Sequence, residues 1–354
     1  NRKENTMSAE TMEWLNSNIL VGYTDERGHA WHYRQDLQGS EPNHYTGAVP
    51  TADILRRLFS WSAISAPVFV RVPATLDDAT GVDEAGNPIK FIKADNRQAI
   101  LRDDTLGLME IFKGGYRSHQ YGEWLVQNLS NIVDDDINFG SAGLLKDGAV
   151  AFVSLELPES VEIIDGFSVR PHLLATTSHN GMLATTYKSV STFVVCDNTH
   201  AMAMGEKTSQ FKARHSKNSG MKIQNARDAL GIVHAMKDDI VAEVLALSSH
   251  KVSDAEWQKV LDRLNPIPEM ELDQSNKASV TRAENKRAEL VSLYNFDTRV
   301  APWKGSALGV LQAFNTYNHH IVGANDNRVE RNMMNALMGK TEQSDRKVLD
   351  LLGV

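Results

Sequence analysis

The sequence holds a single cysteine, Cys196, in 354 residues. One thiol excludes an internal disulfide framework and a cysteine-rich zinc site, and it fits a reducing compartment. No stretch approaches the roughly 18 consecutive apolar residues that a membrane-spanning helix needs. Residues 1–10 are polar and lack the apolar core of a secretory leader, so the expected location is cytoplasmic. Positive charge is not in excess, because the formal net charge is −8. A uniformly basic nucleic-acid binder is thereby excluded, whereas a local basic surface is not. Nucleotide-phosphate motifs are missing as well. No Gly-x-Gly-x-x-Gly follows a strand and no Gly-x-x-x-x-Gly-Lys-Ser/Thr occurs, which argues against P-loop chemistry. The twelve histidines form no His-Glu-x-x-His. His319 and His320 are neighbours that diverge by about 100° on a helix, so no metal site and no cofactor are expected.

The hydrophobic share of 42% is ordinary for a globular chain, and the length suffices for one large core or two modest domains. A short helix is predicted over Ser8–Leu15 and another over Thr51–Ser60. Ile64–Val72 reads as a strand that Pro67 confines to an edge or a bulge. Residues 73–88 read as a surface insertion. Lys90–Lys93 and Gln98–Arg102 flank Asp95-Asn96 and predict a hairpin. Leu106–Phe112 continues the strands, and Tyr121–Ile132 has helical spacing.

Two hairpins dominate the middle. Ile137–Leu145 meets Val150–Leu157 across Asp147-Gly148, and His172–Ser178 meets Met182–Val190 across Asn180-Gly181. Asn-Gly and Asp-Gly supply the positive φ that tight hairpin turns need. Helix is predicted from Thr199, with a loop from Gly205 to Gly220 and a long amphipathic helix over Met221–Ser248. Ser253 and Glu256 form a capping box. Lys277–Tyr294, Ser306–His319, Arg328–Met338 and Glu342–Leu352 complete a helical end. The expected class is α+β: an antiparallel, hairpin-rich central sheet packed with helices over residues 1–250, then a helical region over 251–354.

Cys196 sits in Val195-Cys196-Asp197-Asn198-Thr199-His200, and Asp134-Asp135-Asp136 precedes the first hairpin. The apolar Phe193-Val194-Val195 favours a buried thiol at a strand end, with Asn198 or Thr199 as a helix N-cap, over a nucleophile. A catalytic reading would combine His179, Asn198 and His200. No residue is assigned as catalytic. The segment from Lys207 to Lys222 carries Lys207, Lys212, Arg214, Lys217 and Lys222 with His215 and no acid. Such a surface suits phosphate oxygens; a solvated loop, or one paired with an acidic neighbour subunit, is the alternative. Lys188 extends the track, with Tyr187 or Phe211 placed to stack on bases.

Trp31-His32, the tract Leu174–Gly181, the run Val194–Thr199, and Arg214-His215 before a helix near Lys222-Ile223 recur in order in one family. Over roughly residues 25–350 the chain resembles the phage/plasmid-like proteins called domain of unknown function 932. The resemblance implies a mobile-element origin and a host cytoplasm. The order of hairpins and helix is also similar to the core of single-strand annealing recombinases. That likeness implies ATP-independent annealing of single-stranded DNA by a homo-oligomer, in a ring or a filament. The alternative function is a phage interaction protein that modulates a host or defence factor.

Overall fold

A computed structural model describes residues 9–29, 33–130, 133, 137–156, 160–164, 167–193, 198–200, 210–213, 240–271, 276–322 and 328–354. The chain opens with α1 (Ala9–Asn18), β1 (Ile19–Val21), α2 (Thr24–Arg27) and α3 (Thr51–Arg57). Strands β2 (Ala63–Pro73), β3 (Gly81–Val82), β4 (Pro88–Arg102) and β5 (Leu108–Lys113) follow. A π-helical turn, Gly122–Gln127, runs into α4 (Asn128–Ser130). Next come β6 (Asn138–Leu145), β7 (Val150–Glu156), β8 (Val161–Ile164), β9 (Phe167–Ser178), β10 (Thr185–Phe193), β11 (Asn198–His200) and β12 (Gln210–Ala213). Helices α5 (240–249), α6 (Asp254–Leu264), α7 (Lys277–Phe296), α8 (Ala307–Thr316), α9 (Arg328–Leu337) and α10 (Lys340–Leu352) complete the fold. The class is α+β, with antiparallel sheets and helices concentrated towards the C-terminal end.

The larger sheet has the order β1-β6-β7-β9-β10-β11, with β8 beside β9 and β12 beside β10. Both signalled hairpins form, β6–β7 and β9–β10. Lys146, Asp147 and Gly148 all adopt positive φ in the first loop, and Gly181 does so in the second. Asp-Gly and Asn-Gly sequences are tolerant of that geometry. Strand β7 is buried on both faces, so its residues divide by alternation. Ala151, Val153 and Leu155 join Leu173, Ala175 and Tyr187 in a core under Ile54, Trp61, Tyr121 and Leu125. Val150 and Phe152 turn the other way and meet Ile19, Leu174 and Val190 under Leu15 of α1 and Met334 and Leu337 of α9.

A third apolar cluster joins Phe167 and Val169 of β9 to the helices. Ile240, Val244 and Leu247 of α5 lie in it beside Leu261, Leu311 and Val348. Apolar packing therefore crosses residue 250. The Ser253–Glu256 capping box is formed, with Glu256 N donating to Ser253 Oγ and Ser253 N donating to Glu256 Oε2. Ser253→Ala removes an acceptor from the first turn of α6 and is expected to lower stability by about 1 kcal/mol, read from urea unfolding.

The smaller sheet has β4 between β2 on one edge and β3 and β5 on the other. Pro67 sits on an edge strand, next to a register shift between Pro67 and Phe69, as its missing N–H demands. The Asp95-Asn96 hairpin does not form. Strand β4 runs unbroken through these residues because β2 pairs with both of its halves, Pro67 opposite Gln98 and Phe69 opposite Lys93. The extra residues of β4 are taken up as a bulge opposite Val68. Helix was also expected from Thr199. Asn198–His200 is instead strand β11, because Phe193, Thr192 and Ser191 continue the β10 ladder and pair with it. Cys196, Trp31-His32, Asp134-Asp135-Asp136 and the 221–239 part of the long helix lie outside the described residues.

Candidate nucleic-acid interface

Tyr187 and Lys188 are adjacent on β10, so they face opposite sides of the sheet. Tyr187 is 1% exposed. Its hydroxyl donates to the Trp124 carbonyl and lies near Asn128. Burial pushes its pKa up to about 12, with the Asn128 hydrogen bond opposing. A ring enclosed in this way does not stack on a base, and Tyr187 is a core residue. Lys188 is 5% exposed, and its Nζ donates to the Ala336 carbonyl at 2.9 Å. That carbonyl belongs to the last turn of α9, where a cation is favourable. Lys188 is a clasp between sheet and helix, not an open phosphate contact. Lys188→Ala is expected to lower stability by about 2 kcal/mol, the worth of a hydrogen bond to a charged group. Binding of nucleic acid by the folded protein should be unchanged, which a melt and a binding titration on one preparation would check.

The same face of the sheet buries Glu156, Arg170 and His172. Glu156 is directly opposite His172, and Ser154 Oγ donates to Glu156 Oε1 at 2.5 Å. A buried carboxylate is tolerated when hydrogen-bond donors reach it, as Ser154 does here.

The basic segment is attached to this sheet at its outer edge. Strand β12 pairs antiparallel with β10, Lys212 opposite Thr186 and Phe211 opposite Tyr187. Lys207, Arg214, His215, Lys217 and Lys222 lie outside the described residues.

His179 does not meet Asn198 or His200. Its ring is buried and stacks on Tyr121 at 4.1 Å between centroids, with Trp61 edge-on at 5.8 Å. It follows the end of β9, beside the start of β10, whereas Asn198 pairs with Phe193 at the far end of β10. About 26 Å of strand separates the two ends. The surrounding tract is interior framework. Thr177 Oγ1 and His119 Nδ1 lie 2.7 and 2.6 Å from Thr185 Oγ1, and Tyr121 donates to the Gly148 carbonyl at 3.0 Å.

Among the described residues, an open surface that combines exposed rings with cations lies on the smaller sheet, which the sequence reading missed. Phe69 is paired with Lys93, and Arg71 with Phe91. Directly opposite residues, and residues two apart on a strand, share a face. The four side chains thus form a checkerboard of two rings and two cations. Phe69 and Phe91 are each 52% exposed, and Arg71 and Lys93 are exposed too. Towards the base of the ribbon, Arg97 is directly opposite Lys113, both exposed. Like charges placed opposite one another repel, and an anion relieves the repulsion. Among the described residues none of these four cations is in an ion pair.

Two acids at the ribbon tip, Asp78 and Asp83, are engaged locally. Asp78 pairs with Lys90 and accepts from Thr75. Asp83 accepts from the backbone and side chain of Asn87 and from the backbone of Ala85, and these bonds with the nearby Arg71 charge hold its pKa below the usual carboxylate range. The signal for this surface was the period-2 alternation in Phe69-Val70-Arg71 and Phe91-Ile92-Lys93. What the sequence did not show is that, among the described residues, no layer covers it.

No group of three or more His, Cys, Asp or Glu is placed to hold a metal ion among the described residues. No helix among them is long and apolar enough to cross a membrane. Among curated proteins and among solved structures, none matches this chain. A family match covers residues 109–338, more than half of the chain and including both hairpins of the larger sheet. The chain belongs to the family described as Domain of unknown function (DUF932).

Proposed function

We propose that this protein binds single-stranded nucleic acid, DNA in the first instance, and presents it for annealing without nucleotide hydrolysis. The observation that carries the reading is the exposed checkerboard Phe69, Lys93, Arg71 and Phe91. Rings stack on bases of any sequence, and neighbouring cations neutralise the phosphates between them. Stacking on one face leaves base-pairing edges open, which annealing requires. The basic segment 207–222, anchored through β12 at the edge of the larger sheet, supplies a second track for the backbone. A phage or plasmid origin, a host cytoplasm and a homo-oligomeric ring or filament complete the proposal.

The test is a titration of labelled single-stranded DNA at several salt concentrations, with particle shape recorded with and without DNA. Binding whose logarithm falls linearly with the logarithm of salt is expected. Absence of binding at low salt would sink the reading.

A second reading is an interaction protein that modulates a host or defence factor. It is favoured by the opposite face of the ribbon, where Val70 and Ile92 are paired and both exposed. Exposed apolar pairs suit a protein partner. A stoichiometric partner that survives nuclease treatment, together with no affinity for DNA, would select this reading.

A further inference from the structure

The last three helical elements form a half-open cavity of about 270 Å³. The π-helical turn after α8 (Tyr317–Ile321), α9 and α10 supply its walls. Two of the lining residues are cations, Arg331 and Lys340, from different helices. Thr341 and Ser344 contribute hydroxyls and Asn335 a carboxamide, and among the described residues no acid lines the cavity. The first-turn acid of α10, Glu342, does not line the cavity. Arg331 gives one N–H to the Val322 carbonyl and another, at 3.5 Å, to Asn332 Oδ1. A guanidinium has five such donors, so others remain for a ligand. The protein as a whole is acidic, at net charge −8. Among the described residues this hollow is lined by cations and by no carboxylate, opposite in sign to the chain as a whole.

His319 also lines the cavity. Burial, then the nearby His320 and Arg331, lower its pKa to about 4. The ring is thus neutral near pH 7, with one N–H to donate and one nitrogen to accept. Helix α10 begins at Gly339 with no side-chain cap, so the N–H groups of its first turn are not taken by a capping side chain. Those N–H groups add to the positive character supplied by the two cations.

We propose that this cavity binds a phosphate monoester, with Arg331 and Lys340 neutralising the dianion and Thr341, Ser344 and Asn335 hydrogen-bonding its oxygens. Cavities for whole drug-sized ligands run to roughly 300–1,000 Å³, so this one suits a phosphate with part of a sugar. The phosphate has two sources. It belongs either to a free nucleotide or to the phosphorylated end of a nucleic-acid strand. Only the second source rests on the function proposed above.

The experiment titrates the full chain with inorganic phosphate, a nucleoside monophosphate, and a short oligonucleotide with and without a 5′-phosphate. Calorimetry and the melting temperature are the readouts. Saturable binding with a raised melting temperature is expected, because a ligand that binds only the native state stabilises it. Arg331→Gln with Lys340→Gln should weaken that binding at least tenfold. Asn335→Asp, which places a carboxylate among the oxygens, should weaken it without removing a cation. Circular dichroism checks that each variant folds.

An advantage of the phosphorylated oligonucleotide over the unphosphorylated one, lost in the Arg331/Lys340 variant, assigns the ligand as a strand end. Equal binding of the two oligonucleotides, with saturable binding of the monophosphate, assigns a free nucleotide. Saturation by none of the probes, or unchanged affinity in both folded variants, overturns the proposal. Phe69→Ala with Phe91→Ala should leave phosphate binding intact, so failure of the ribbon reading and failure of the cavity are separable.

Discussion

Replacing Phe69 and Phe91 together by alanine is expected to weaken binding of a single-stranded oligonucleotide roughly thirtyfold or more. Each stacked base is worth about 1–3 kcal/mol by alanine substitution, so two rings supply at least about 2 kcal/mol. A factor of ten corresponds to about 1.4 kcal/mol. Replacing Arg71 and Lys93 by glutamine should act differently. Each phosphate neutralised on a single strand contributes about −0.7 to the slope of log affinity against log salt, so losing two makes the slope shallower by about 1.4. The ring variant should lower affinity at every salt concentration and leave the slope alone.

This contrast separates stacking from charge, and a fluorescence-anisotropy titration at four salt concentrations measures both. All four side chains are exposed, so the fold should be almost untouched. If both variants bind as tightly as the parent, the ribbon is not the interface, and the segment anchored by β12 must carry the strand alone.

Gly309→Ala is expected to be the most damaging single methyl in the described chain. Every residue of α8 from Ala307 to Thr316 is buried. A Cβ at Gly309 would fall well inside van der Waals distance of the Trp303 carbonyl oxygen and carbon. These are backbone atoms, so no side chain can rotate away. Overpacking of this kind costs about 1–3 kcal/mol, and a backbone clash belongs at the upper end. The turn that carries His319 continues directly from α8, so a displaced α8 should also weaken phosphate binding in the cavity. Gly115→Ala is the control, because nothing lies within 4 Å of a Cβ there. Urea unfolding of the pair should show a large loss for the first and almost none for the second. A stability for Gly309→Ala within about 0.5 kcal/mol of the parent, the range of neutral surface changes, would show that α8 has room to move.

Local chemistry made much of the fold legible. Asp147-Gly148 and Asn180-Gly181 marked their hairpins because positive φ is a property of a few residues. Ser253 and Glu256 marked a helix start because the capping bonds span three residues. Asp95-Asn96 misled for the same reason. Its turn propensity is real, but β2 pairs with β4 on both sides of it and turns the irregularity into a bulge. The assignment of Asn198–His200 to helix failed because pairing with β10 outweighed a local cap signal.

The candidate site was harder to read. A lysine in a strand looks the same in sequence whether its ammonium meets water or a helix carbonyl. Lys188 meets Ala336, a partner 148 positions away. Tyr187 looked available for stacking until β10 was placed inside the sheet, where its hydroxyl reaches Trp124. The checkerboard on β2 and β4 depended on the absence of a covering layer among the described residues. No residue of the ribbon encodes that absence.

The attachment of α9 to the larger sheet bears on how the protein is made. The face formed by Ile19, Leu145, Phe152, Leu174 and Val190 is closed by Met334 and Leu337. While the ribosome is still translating the segment before residue 328, that apolar face has been synthesised with only the α1 part of its cover, Leu15, and without the α9 part. A nascent chain with a half-covered apolar sheet is prone to aggregate or to recruit a chaperone. Translation therefore exposes this protein to risk until a late moment. Fragments that end before α9 should collect in inclusion bodies even where every strand of the sheet is present.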